Sequence, residues 1–88
     1  MLERHLIFGV HIDNRVQKVP DVQKLFTEYG CHIKTRIGLH HVEDNFCSPQ
    51  GLILLEMVGD MEECNRLAER LSAIEGIEVQ RMMFEHSA

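Results

Sequence analysis

Histidine and cysteine have the greatest chemical reach in this chain: six histidines and three cysteines occur in 88 residues. Neutral imidazole binds zinc, nickel or iron, and a thiolate can complete such a site. Strand alternation predicts His11, His32 and His40 on one sheet face, with Cys47 in the loop that follows. These four are the candidate ligands of a nickel, zinc or iron sensor or chaperone. Against them, His40-His41-x5-Cys47 matches no tight ligand motif, and adjacent strand residues point to opposite faces. The competing reading is that these histidines line a solvated or subunit-packed sheet. Arg36, Gly38 and His40 form a second, ligand-binding candidate, with Gly38 leaving room for close approach of a ligand or a neighbouring backbone.

Little else in the sequence carries chemistry. Cys64 falls on an apolar helical stripe and reads as a small core residue. Cys31 has no cationic neighbour to activate it, and Cys47 sits beside Glu43 and Asp44, which disfavour a thiolate. No Gly-rich phosphate loop, nucleophile elbow or HExxH occurs. No catalytic residues are assigned, and the expectation is a binding or regulatory module, not an enzyme.

These residues must be positioned by six elements. Residues 5–13 alternate, with Leu6, Phe8, Val10 and Ile12 on one face and His5, Ile7, Gly9 and His11 on the other: a half-buried strand. Residues 20–29 form a helix opened by Pro20, with Val22, Leu25, Phe26 and Tyr29 on one stripe and Gly30 at its end. Residues 31–42 form a second strand, bent near Gly38. Ile33, Thr35, Ile37 and Leu39 are assigned to one face; His32, Lys34, Arg36, Gly38 and His40 to the other. A loop over 43–50 is marked by Asp44-Asn45 and Ser48-Pro49. Residues 51–58, with Leu52-Ile53-Leu54-Leu55, read as a central strand. A second helix starts at Asp60 with Glu63 as capping-box partner, carries Met61, Cys64, Leu67, Ala68, Leu71 and Ile74, and ends at Gly76. Residues 77–84 are the last strand and 86–88 a frayed tail.

The order βαββαβ predicts a single ferredoxin-like α+β domain over residues 1–88. Its four-stranded antiparallel sheet has strands one and three central and two helices on one face. The other face stays open, carrying His5, Ile7, Gly9, His11, His32, Arg36 and His40. A half-apolar open face on so small a chain calls for a partner, first of all a second copy. A homodimer or a tetramer is expected, with a regulatory partner protein as a further possibility.

Composition narrows the class. Acidic residues outnumber Lys and Arg by 14 to 9, for a formal net charge of -5. No basic stripe is present to displace counterions from a phosphate backbone, so direct nucleic-acid binding is not expected, nor is an anionic membrane. The longest apolar run is too short to span a bilayer. An odd cysteine count without a CxxC pair, and an N-terminus unlike a signal peptide, point to the cytoplasm.

From His5 to Arg81 the chain resembles the iron-only hydrogenase system regulators, short proteins of the ACT-like superfamily. The resemblance rests on Arg36-Ile37-Gly38, on the apolar Leu52–Val58 segment and on Ile74-Glu75-Gly76-Ile77-Glu78-Val79. It implies a homo-oligomeric domain encoded with hydrogenase maturation machinery. From His40 through Gly59-Asp60-Met61 the chain is also similar to the C-terminal domain of nickel-responsive repressors. His40 matches one family histidine there, but Val42 stands where a second ligand would be and Gly51 where the cysteine would be. The ribbon-helix-helix segment of those repressors has no counterpart. Amino-acid-binding ACT domains have a glycine-bearing turn after the first strand. Here residues 13–18 hold no glycine, so a free amino acid bound in that manner is not expected.

Overall fold

The computed structural model describes residues 2–13, 19–43 and 46–87, with the side chains of 4–13, 20–38 and 51–85. Strand β1 spans Leu2–Ile12, helix α1 Val19–Glu28, strand β2 Ile33–Glu43, strand β3 Phe46–Met57, helix α2 Met61–Ser72 and strand β4 Ile77–Ser87. One 3-10 turn, Gly30–His32, joins α1 to β2. The strands form one antiparallel sheet in the order β2-β3-β1-β4, with β3 and β1 central as predicted.

Alternation in β1 decides which face is covered. Leu6, Phe8 and Val10 are buried, and their β3 partners Met57 and Leu55 are buried with them. The predicted stripes close over this face: Val22, Leu25 and Phe26 from α1 with Tyr29 just after it, and Cys64, Leu67, Ala68 and Leu71 from α2. Asp60 caps α2 by accepting from the Glu62 amide at 2.9 Å, satisfying an otherwise orphaned N–H. Glu63, expected to complete a capping box, pairs instead with Arg66 one turn on. The last turns of the two helices are tied by Arg70, which donates to Glu28 and to Tyr29 Oη (3.3 Å) and lies over the Tyr29 ring. The Tyr29 hydroxyl and the Glu28 carboxylate both favour the guanidinium, raising the Arg70 pKa.

The structure departs from the sequence reading at several points, beginning with β1, which starts at Leu2 and not at residue 5, and α2, which ends at Ser72 and not at Gly76. Most of the expected 43–50 loop is strand: β2 runs to Glu43 and β3 starts at Phe46. Ser48-Pro49 falls inside β3, where the register slips between His40↔Gly51 and Val42↔Cys47. A bulge there tolerates a residue without an N–H, and β1 does not pair with β3 before Gly51. No irregularity falls at Gly38, where a bend was expected; its pairing with Ile53 is regular and the nearest shift lies between His40 and Val42. Gly30–His32 forms the 3-10 turn where strand was expected from Cys31, and Gly30 does not take the positive φ of the expected helix cap. Finally, His86 and Ser87 belong to β4, paired with Glu3 and Leu2, where a frayed tail was expected.

The register staggers the sheet along a diagonal. Leu2 to His5 pair only with β4, because β3 joins β1 first at Leu6↔Met57. At the opposite corner, the end of the β2–β3 hairpin extends beyond the pairing with β1. Two two-stranded arms therefore extend beyond the four-stranded part of the sheet at opposite corners, and the principal extents are 48 × 24 × 18 Å.

Candidate functional site

A second irregularity, early in β2, decides what each face carries. Ile33 pairs with Met57 but Thr35 with Glu56, so Lys34 is an extra residue and alternation shifts by one. From there on Arg36 pairs with buried Leu55 on the helix side, while Ile37 pairs with Leu54 on the open side. This corrects the predicted faces: Arg36 and Gly38 belong to the helix side, and Thr35 and Ile37 to the open side. A bulge needs no marker residue, so strict period two assigned them the other way.

Arg36 consequently meets α1. Its guanidinium lies 4.6 Å from the Phe26 ring centroid, and Nη2 donates to Gln23 Oε1 at 3.3 Å. The stacked guanidinium is held on an apolar surface and remains exposed. Gly38 beside it would have nothing within 4 Å of an added Cβ. Together they make a ledge along edge strand β2, a positive group next to bare backbone.

The remaining sequence candidates are separated by the fold. His11 lies on the open face, in the row of Leu52 and Glu78. His32, expected on that same face, is in the 3-10 turn. Its Nδ1 is 3.1 Å from Val58 O, and its carbonyl accepts from the Val58 amide at 2.8 Å. His40, expected on the open face, pairs with Gly51 in the row of Ile12, a register position on the helix side and so on the face opposite to His11. Cys47 pairs with Val42 within β3, and the side chains of His40 and Cys47 lie outside the described residues. Among the described residues no group of three or more His, Cys, Asp or Glu side chains is placed to hold a metal ion.

The open face has an organisation that the sequence reading missed. Ile37 is 49% exposed, Met82 53% and Phe84 51%, while Leu52, Leu54 and Ile7 are partly exposed. The pairings Ile37↔Leu54, Ile7↔Met82 and His5↔Phe84 make these apolar residues a diagonal band, running with the molecule's long axis. One polar corner beside it centres on Glu56. Thr35 Oγ1 donates to Glu56 at 3.0 Å, with His5 Nδ1 at 3.9 Å and Lys34 Nζ at 4.0 Å. The other corner holds His11, Glu78 and Gln80, whose Nε2 donates to Glu78 at 3.1 Å. Glu56 read as a lone carboxylate because only the bulge brings Lys34 and Thr35 together opposite it.

A pocket of about 400 Å³ opens at the start of α2, lined by Arg4, Leu6, Met57, Val58, Gly59, Met61 and Cys64. The Cys64 thiol donates to Val58 O at 3.5 Å, and burial, with Asp60 nearby, pushes its pKa up. It is a neutral thiol, as its stripe position predicted. Gly59 has φ +89°, and a Cβ there would stand 2.8 Å from His32 Nδ1.

No family model matches the chain, and no curated protein does. Solved structures do resemble it. Uncharacterized protein TM1266 from Thermotoga maritima has 22% identity and a TM-score of 0.76, over 93% of this chain and 99% of that one. The apo form of CPII from Thiomonas intermedia K12, a nitrogen regulatory PII-like protein, has 12% identity and a TM-score of 0.58 over 98% and 95%. CPII has also been solved bound to ADP, AMP and acetate. LarC2, the C-terminal domain of a cyclometallase, has 10% identity and a TM-score of 0.55, over 99% of this chain and 58% of that domain. With identities this low, what these likenesses establish is the ferredoxin-like βαββαβ fold that the strand order already displays.

Proposed function

We propose that this chain is a small homo-oligomeric regulatory domain that senses a ligand or docks on a partner protein, acting by binding and not by catalysis. The uncovered apolar band carries the reading: Ile37, Met82 and Phe84 are each about half exposed on a sheet face with no helix over it. Such a face on an 88-residue chain is most simply covered by another copy. A cytoplasmic protein that does not itself contact nucleic acid fits the acidic balance. No helix among the described residues is long and apolar enough to cross a membrane. The sequence resemblance supports a regulatory role beside an iron-only hydrogenase system.

The ledge of Arg36 and Gly38, continued by His40 along β2, is the proposed ligand side. A stacked guanidinium suits an anionic ligand, and adenine nucleotides, which CPII holds, are the first to test. Sedimentation at micromolar concentration should give a dimer or larger, and a clean monomer overturns the oligomeric reading. Titration calorimetry with ADP and AMP should show saturable binding that Arg36→Ala weakens by about tenfold or more. Binding unaffected by that change removes the ledge from the site.

A further inference from the structure

The geometry points to a face-to-face homodimer whose two-fold axis runs along the apolar diagonal, so that Lys34 of each copy meets Glu78 of the other. This rests on the homo-oligomeric reading above and adds the surface, the symmetry and the pairing. Charge chooses the axis. Two two-folds in the plane between the sheets superpose the band on itself, one along it and one across it. The axis across the band sets each polar corner against its own copy, with Glu78 facing Glu78 and Lys34 facing Lys34. The axis along the band sets each corner against the opposite one. Lys34 then approaches Glu78 and Gln80, and Glu56 lies over Gly9, which presents no side chain and has open space above it. Like charges repel in the first arrangement and unlike charges pair in the second, in a contact that excludes water.

The area is sufficient. Four strands about 4.8 Å apart and about 36 Å long present roughly 700 Å² on one face. That is close to the ~800 Å² per partner of a specific interface. Its centre is the band of Ile37, Leu52, Leu54, Ile7, Met82 and Phe84, and its charges lie at the rim, the usual anatomy of a stable contact. Lys34 is available for this, its side chain being 64% exposed and its contact with Glu56 no closer than 4.0 Å.

Sedimentation equilibrium of four variants tests the arrangement, with far-UV circular dichroism to show that each is folded. Leu54→Asp should abolish the dimer. Lys34→Glu and Glu78→Lys should each weaken it by about tenfold or more, because each places like charges together twice. The double variant K34E/E78K should recover most of the wild-type affinity, since exchanging both charges restores both pairs. A dimer that survives Leu54→Asp places the interface elsewhere. Single charge variants without effect, or a double variant no better than the singles, refute the axis. Each of these results leaves the homo-oligomer standing. A monomeric wild type overturns that reading and the inference together, and leaves the face to a different partner.

Discussion

The two faces of this sheet are built from the same four strands by the same alternation, yet only one is finished. On the helix side, Phe8 and Leu55 have no exposed surface. On the other, Met82 and Phe84 remain about half exposed. Adjacent residues belong to opposite sides: Leu54 and Leu55 share a peptide bond but not an environment. Apolar character therefore reports that a surface will be covered, and the fold decides whether by the chain itself or by something else.

The sharpest way to break the comparison is to truncate those two leucines. Leu55→Ala leaves a cavity between β3 and the helices and should cost about 3–5 kcal/mol of folding stability, read by denaturant unfolding. Leu54→Ala should cost the fold less than about 1 kcal/mol and weaken association instead. Equal losses would mean that both faces are covered within one chain.

A smaller effect is expected where the covered layer turns over. Gly59 has a positive φ and sits against His32. Gly59→Ala should lower stability by about 1–2 kcal/mol for the backbone alone. It should also displace the imidazole from Val58 O, visible as a shift of the His32 ring resonances. Unchanged resonances would show that the turn accommodates a methyl group.

The smallest effect is chemical. Cys31 is exposed and Cys64 is buried, so a thiol reagent at neutral pH should label Cys31 at least about tenfold faster. Because burial raises the folded-state pKa of Cys64, the unfolded chain loses that proton first as pH rises through 9.0. Stability should therefore fall above that pH and be unaffected by this group below it. Replacing Cys64 with alanine should remove that part of the alkaline loss, and an identical alkaline profile would assign it to other groups.

The elements and the covered face were legible in the sequence because period two in β1 and the helical stripes of α1 and α2 each leave one consistent solution. Asp60 announced its cap, and Cys64 its burial. The side assignment of β2 was not legible. It turns on Lys34, whose side chain fits an ordinary strand as well as a bulge. The β2–β3 connection was read as too long for a related reason, since Ser48-Pro49 is turn chemistry used inside a strand irregularity. His11, His32 and His40 seemed grouped only under uninterrupted alternation, and the 3-10 turn removes His32 from the sheet altogether.

The extra residue in β2 shifts the frame of alternation for the residues that follow it. Thr35 to His40 take the side opposite to the one strict alternation from Ile33 would give them. A chain lacking Lys34 should keep Thr35↔Glu56 and Arg36↔Leu55, with Ile37 still on the open side, because removing the extra residue only makes the ladder regular. What it gives up is the ammonium that the bulge brings to Glu56. The insertion thus adds a charge to one face without moving the chemistry that follows it.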